Sequence, residues 1–337
     1  MEQNSFDFMA IGDTVTDAFI RIQKASVHTL EGDAGAPEED LCFINGAKIP
    51  YEFAKVIPGV GNSANAAVCA ARLGLGSALI ADVGEDAQGK EIIAALAKDH
   101  VNTDYIRVNP GKSSNYHYVL WFRAERTILI KHETFDYKLP SFEQPKWIYF
   151  SSLGENSLAY HEEVVNYVKA HPDVKFAFQP GTFQIKLGAE KLKELYDSCS
   201  IFFCNTDEAR IILKTNEQDA SKLPKMMSAI GPKIAVITDG PKGLYAYDAN
   251  TDKTWFVPPY PDPKPPYDRT GAGDACSSTI VVALALGKPL EEALLWGPIN
   301  SMSVVQYIGA QEGLLTRPQL EKYLAEKPDY YVATEVK

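Results

Sequence analysis

Asn62-Ser63-Ala64-Asn65-Ala66-Ala67-Val68-Cys69-Ala70-Ala71-Arg72-Leu73-Gly74 reads as a helix of small residues stopped by a glycine. Ser77-Ala78-Leu79-Ile80-Ala81-Asp82-Val83 then follows as a short, nearly continuous apolar strand. A buried strand without alternation, set against helices, is the pattern of a parallel sheet. The rhythm repeats outward. Residues 87–100 predict a helix. Strands are predicted at 6–11, 147–150, 175–178, 201–204 and 234–238. Further helices are predicted at 157–170, 187–198, 207–213, 219–229, 271–286, 290–307 and 317–324, with a hairpin formed by 245–247 and 254–257. Such strand–helix alternation predicts an α/β fold, a doubly wound and mainly parallel sheet flanked by helices.

Three stretches break the rhythm. Residues 18–30, 51–57 and 115–131 alternate apolar and polar residues, as half-exposed antiparallel strands do. An acidic segment, 31–40, separates the first two, and Arg123-Ala124-Glu125-Arg126 reads as a hairpin turn in the third. The economical organisation is one domain over 1–337 carrying a small β-sheet lid, built from insertions at about 18–57 and 112–134.

The composition narrows the function. Of 337 residues, 45% are apolar and 23% charged, which excludes disordered and fibrous classes. Lys+Arg total 33 against 44 Asp+Glu, a net charge of −11, which disfavours nucleic acid and anionic membrane surfaces. Residues 1–7 are polar and acidic where a signal peptide would be basic and then apolar. The best apolar run, 275–287, is too short to span a bilayer. The expectation is a cytoplasmic protein. Five scattered cysteines without a CxxC, and six histidines without HExxH, imply neither disulfides nor a zinc site.

Two glycine-rich segments imitate nucleotide motifs. Gly111-Lys112-Ser113 ends like a P-loop, but the required first glycine falls on Ile106. Gly59-Val60-Gly61-Asn62-Ser63-Ala64 fits the dinucleotide fingerprint, and Asp82 follows at about the right distance. That keeps an NAD-dependent oxidoreductase as the alternative from another class. Against it, Pro58 and an alternating strand precede the glycines, where a buried strand should stand.

Asp268-Arg269-Thr270-Gly271-Ala272-Gly273-Asp274-Ala275-Cys276 follows a stiff stretch, 258–266, with six prolines, and opens a long apolar helix. The Gly-Ala-Gly run lets backbone N–H groups approach a ligand, and the first helical turn has unpaired donors suited to phosphate. Asp274 lies in that turn, where a carboxylate can take a proton from a hydroxyl. The helix N-terminus favours its ionised form and weakens it as a base.

These two segments, residues 58–67 continuing to Gly84-Glu85-Asp86 and Gly89, and residues 268–274, resemble the N- and C-terminal signatures of the ribokinase-like carbohydrate kinases, also called the phosphofructokinase-B family. The resemblance covers nearly the whole chain and implies an ATP-dependent kinase acting on a hydroxyl of a sugar or sugar-like molecule. It implies that Asp274 is the catalytic base, and that Gly271, Ala272 and Gly273 form an anion hole. Asp17, Gly59, Gly61 and Asn65 would hold the sugar. Asn205 would sit near the nucleotide phosphates and Glu208 would order Mg2+ through water. Thr238, Gly240 and Gly243 would cradle the nucleotide, with Asn300 and the Gly309-Ala310 pair on its far wall. Asp268 lies where many members bind a monovalent cation such as K+.

Departures are visible. Val60 replaces a second consecutive glycine. Arg269 replaces a common threonine, and a cation beside Asp268 could substitute for a monovalent ion or repel it. Gln179 stands in a segment, 178–182, without the charged residues of several members. The aromatic hairpin (Tyr116, Tyr118, Trp121 and Phe122) could stack on a sugar or a nucleobase, or pair two lids in a homodimer. Within the class, a free pentose, hexose or sugar acid is expected as acceptor, with a nucleoside as the alternative. A catalytically silent binder of this fold is a further rival. A sugar phosphate is disfavoured because Arg21, Lys55, Lys112, Arg123, Arg126 and Lys131 form no cluster in the sequence.

Overall fold

β1 (Phe8–Ile11) is apolar throughout and fully buried in the computed structural model. A strand turns alternate residues to opposite faces. Phe8 and Ala10 enter one core and Met9 and Ile11 another, one on each side of the sheet. The structure describes residues 6–31, 37–123 and 125–336. The centre of the acidic segment, Ala124 of the hairpin turn, and most of the N-terminal stretch examined for a signal peptide lie outside them.

β1 pairs in parallel with β6 (Ser77–Gly84) and β10 (Trp147–Phe150). Beyond β6 lies β7 (Ile106–Asn109). Beyond β10 lie β11 (Lys175–Phe178), β12 (Ile201–Asn205) and β13 (Ile234–Thr238), all parallel. An antiparallel tail of β14 (Leu244–Asp248), β15 (Lys253–Val257) and β16 (Thr334–Val336) completes ten strands, ordered β16-β15-β14-β13-β12-β11-β10-β1-β6-β7. The doubly wound, mainly parallel α/β expectation holds.

One face is covered by α1 (Asn62–Arg72), α8 (Ala272–Ala285) and α9 (Leu290–Val304). Small residues in α1, buried continuously from Ser63 to Ala70, let it lie against α8. The other face carries α3 (Leu158–Ala170), α5 (Lys193–Ser198), α6 (Thr206–Leu213) and α7 (Leu223–Ser228). The helix expected over 187–198 is interrupted. Gly188, at φ 84°, ends α4 (Thr182–Leu187), and α5 starts only at Lys193.

The alternating stretches form a second, four-stranded sheet, β5-β2-β8-β9. Its strands are β2 (Val15–Ile22), β5 (Tyr51–Val60), β8 (Tyr116–Phe122) and β9 (Glu125–Lys131). The stretch expected as one strand over 18–30 is two. β2 ends at Ile22, and β3 (Ser26–Glu31) pairs with β4 (Pro37–Cys42) in a separate ribbon. The hairpin turn falls where expected, with Phe122 opposite Glu125 and Arg123 at φ 56°. Among the described residues, no helix is long and apolar enough to cross a membrane.

Candidate active site

In open α/β sheets, ligands bind at the carboxyl ends of the parallel strands. Here those ends carry Asp13 after β1, Gln179 after β11, Asn205 at the end of β12 and Thr238 at the end of β13. The 268–274 loop and the small sheet close over the same edge.

Gly271 begins α8 in the left-handed region, at φ 79°. A Cβ there would lie 2.3 Å from Cβ of Ala310, so the loop presses directly on Ala310 and only glycine fits. No side chain caps α8, and within its first turn Ala272 N donates to the Arg269 carbonyl at 3.3 Å. A Cβ on Gly273 would meet nothing within 4 Å, so this backbone opens to the cleft.

Asp274 sits in the first turn and is 9% exposed. Three side-chain amides hold it. Asn65 donates to Oδ2 at 2.7 Å, and Asn62 and Gln179 donate to Oδ1 at 2.9 and 3.0 Å. Burial pushes its carboxyl above the ordinary range, the amides oppose that, and the charge of Asp17 adds to it. The helix N-terminus alone would have made it a weaker base; burial outweighs that effect. Gln179 is itself fixed by the Tyr149 hydroxyl, which also bonds Ser277 Oγ at 2.7 Å.

Asp17, on β2 and near enough to act on Asp274 by its charge, lies beside His117 on β8, with Oδ1 3.2 Å from Nδ1. The chain of groups continues. His117 Nε2 lies 3.1 Å from His132 Nε2, so one of the two nitrogens carries a proton that the other accepts. His132 Nδ1 lies 3.4 Å from Oδ2 of Asp13, to which the Tyr137 hydroxyl donates at 3.0 Å. Asp13 is 5% exposed, and burial raises its carboxyl above the ordinary value.

Gly59 and Gly61 take φ values of 74° and 108°. Cβ atoms there would crowd the Ile92 carbonyl at 3.2 Å and the Asp13 carbonyl at 3.0 Å, so both glycines serve close backbone packing. Asn65, expected on the sugar, is bound to Asp274 and accepts from Gln311 Nε2 at 3.0 Å.

On the other side of the 268–274 loop lies a cleft of about 290 Å³. Thr238, Gly240, Gly243, Pro259, Tyr260, Arg269, Ala272, Gly273 and Ser301 are among its lining residues. Thr238, Gly240 and Gly243 therefore stand where the nucleotide loop was expected. Asn205 and Glu208 form a reciprocal cap on α6: Glu208 N donates to Asn205 Oδ1 at 2.8 Å, and Asn205 N to Glu208 Oε2 at 2.9 Å. Burial and the nearby charge of Asp274 raise the Glu208 carboxyl.

Two expected positions are engaged within the protein. Asn300 does not face the cleft. It is fully buried, donates to Thr279 at 2.8 Å and accepts from Leu315 N at 2.9 Å, while its neighbour Ser301 lines the wall. Asp268 does not offer itself to a metal. It is fully buried, with Oδ1 bound to Arg126 at 2.7 Å and to Thr270 N at 2.8 Å, and Oδ2 to Gly309 N at 2.8 Å. Arg269 instead lines the cleft, its charge lowering the carboxyl of Asp262 against the upward push of burial. Among the described residues, no group of three or more His, Cys, Asp or Glu could hold a metal ion.

Asp13, Asn62, His117, His132 and Gln179 join the site without having been singled out for it. The dinucleotide imitation dissolves. Gly59 lies within β5, a strand of the small sheet, and Asp82 is engaged by Arg107 at 2.6 Å and Asn109 at 2.8 Å. The Gly111-Lys112-Ser113 segment is a turn after β7, with Lys112 paired to Glu133.

Comparison with known proteins identifies the family and the fold. The pfkB family carbohydrate kinase profile matches residues 55–317. A ribokinase of Bacillus subtilis is 30% identical over 285 residues, 80% of this chain and 89% of that protein. The structure of Arabidopsis thaliana ribokinase complexed with ribose and ATP superposes with a TM-score of 0.78 at 20% identity, covering 95% of this chain and 99% of that one. A Methanocaldococcus jannaschii nucleoside kinase gives 0.77 at 19% identity, covering 96% and 100%.

Proposed function

Because the chain belongs to the pfkB family of carbohydrate kinases, we propose that this kinase transfers the γ-phosphoryl group of ATP to a hydroxyl of a neutral sugar, with Asp274 as the base. The observation that carries the reading is Asp274 itself: buried in the first turn of α8, next to Gly273 of the 290 Å³ cleft, held by three amides and close enough to Asp17 to feel its charge.

The acceptor hydroxyl gives its proton to Asp274 as its oxygen bonds to phosphorus, and ADP leaves along the opposite direction. First-turn N–H groups of Gly271, Ala272 and Gly273 hold the charge of the transferring group. The transition state is loose, so positioning and charge stabilisation do most of the catalysis. The raised proton affinity of Asp274 makes it a better acceptor than an exposed aspartate.

Glu208 spends one oxygen on its cap, and the other suits a water-mediated hold on Mg2+, which prefers few carboxylates. That ion, when bound, offsets phosphate charge. Asp268 is paired with Arg126 and accepts from the Thr270 and Gly309 backbone N–H groups, and no step runs through a monovalent cation there.

The acceptor side is acidic and histidine-bearing. The basic residues of the small sheet are engaged elsewhere: Lys55 with Glu312, Lys112 with Glu133, Arg126 with Asp268, Lys131 with Ser113, and Arg21 with the Arg123 carbonyl. A sugar already bearing phosphate would face carboxylates, so a free pentose or hexose fits better. Trp121 is 3% exposed between Arg21 and Arg126, at 4.5 and 5.2 Å, and so does not stack on the acceptor. Tyr118, half exposed beside Tyr116, keeps a nucleoside as the second acceptor class.

The small sheet acts as the lid over the acceptor, excluding water as a competing nucleophile. Its outer strand β9 is an edge with Ile128, Leu129 and Ile130 about half exposed, which supports a homodimer joined through this sheet. The test is ADP release with ATP and Mg2+ over a panel of sugars, sugar acids and nucleosides, repeated with Asp274→Asn. Turnover on a free sugar that falls about 10²-fold or more in the variant is expected. Turnover that survives the change would overturn the assignment.

A further inference from the structure

The Asp268 carboxylate stitches three segments together. It accepts from Thr270 N within the anion loop and from Gly309 N beside the Ala310 on which Gly271 rests, and it forms an ion pair with Arg126 Nη2 on β9 of the small sheet. The carboxylate is fully buried and the Arg126 side chain is 14% exposed. Both oxygens are occupied, one of them by a guanidinium that stays charged at any working pH. Arg126 lies against the Trp121 ring at 5.2 Å, and Arg21 lies against the same ring at 4.5 Å. Ring and carboxylate together hold the guanidinium in place.

A buried carboxylate needs a counter-charge. A diffusible monovalent cation could supply one, and so can a side chain. Here the side chain fills the position, and a second cation in contact with Asp268 would meet the guanidinium's repulsion. Arg269, the neighbouring cation in sequence, faces the 290 Å³ cleft instead.

We propose that Arg126 takes the place of a bound monovalent cation at Asp268, so that the anion loop is ordered by the small sheet and turnover is independent of potassium. Arg126 is a positioning residue: it acts through Asp268 on the Gly271–Gly273 backbone and touches no reacting atom. The loop is then complete only while β9 lies over it, which ties formation of the anion site to the position of the sheet. This inference rests on the kinase reading for its activity arm alone.

The test has two arms. In the first, the thermal midpoint of the full chain without nucleotide is measured in potassium chloride and in tetramethylammonium chloride at matched ionic strength, followed by ATP turnover in the same buffers. Wild type is expected to show equal midpoints and equal rates. A midpoint or a rate raised specifically by potassium overturns the proposal. In the second, Arg126→Ala is expected to lose about tenfold or more in kcat/KM, with recovery on adding guanidinium chloride or potassium chloride at ionic strength matched by tetramethylammonium. Arg126→Lys, which keeps the charge, is expected to fold and retain more activity than Arg126→Ala. Loss without rescue by either cation, or no loss at all, overturns the positioning role. Should no acceptor turn over, the kinase reading fails, while the midpoint comparison still decides the cation question.

Discussion

Gln179 Nε2 donates to Asp274 Oδ1 at 3.0 Å, and its carbonyl oxygen is held by the Tyr149 hydroxyl. A neutral residue thus helps to set the proton affinity of the base, because an amide donor favours the ionised carboxylate. The native carboxyl lies above its ordinary value, with Gln179 among the groups restraining it. Gln179→Leu removes that restraint and keeps the volume. The acid limb of the kcat profile, where Asp274 must be ionised, is expected to move to higher pH, while the rate on the alkaline plateau is largely retained. An unmoved limb in a pH–rate series would show that Gln179 does not tune the base.

His117 and His132 link Asp17 to Asp13 and do not line the 290 Å³ cleft; on the proposed reading they stand on the acceptor side. Replacing either by Ala is expected to raise KM for the acceptor about tenfold, the worth of a lost hydrogen bond to a charged group. KM for ATP should stay near wild type. Steady-state kinetics with each substrate varied in turn checks this; a change confined to ATP would contradict the placement.

Asp13 is buried with its carboxyl raised. A raised acid contributes stability that is fully present below its unfolded pKa of about 4 and is lost as pH rises through the native value. Asp13→Asn removes this term while keeping an acceptor for Tyr137. The variant is therefore expected to gain stability relative to wild type as pH increases through that window. Asp274 is also raised and contributes with the same sign, so the difference between two urea-midpoint curves is the quantity to measure. A difference that is flat with pH, or of opposite slope, would contradict the direction assigned to Asp13.

Ile130, 58% exposed on edge strand β9, is where a pairing surface would be most sensitive. Ile130→Glu is expected to convert a dimer to monomers in sedimentation velocity without lowering the thermal midpoint of the monomer. A wild-type chain that sediments as a monomer would remove the proposed homodimer.

What could be read in advance was local. Gly271, Ala272, Gly273 and Asp274 are contiguous, and the geometry of a helix start follows from residue type. The sheet followed equally directly, since buried parallel strands are apolar throughout. The partners of Asp274 were hidden because Asn62, Asn65 and Gln179 reach it across more than 90 positions, and only the packing of α1 and β11 against α8 unites them. Asn300 is buried against Thr279 and Leu315 while Ser301 lines the cleft, because one residue along a helix turns the side chain by about 100°. Arg126 is one of eight Lys and Arg residues over 18–57 and 112–134. Register alone decides that it stands opposite Trp121 and reaches Asp268.

β5 passes from exposed Tyr51 to buried Val60, and a single residue, Gly61, separates it from α1, which supplies Asn62 and Asn65 to the base. Gly61 thus leaves no slack between the two: any displacement of the small sheet would pass through α1 to the amides that clasp Asp274. If Asp274 is the base, as proposed, enclosing an acceptor would then retune its proton affinity, and water, which encloses nothing, would not.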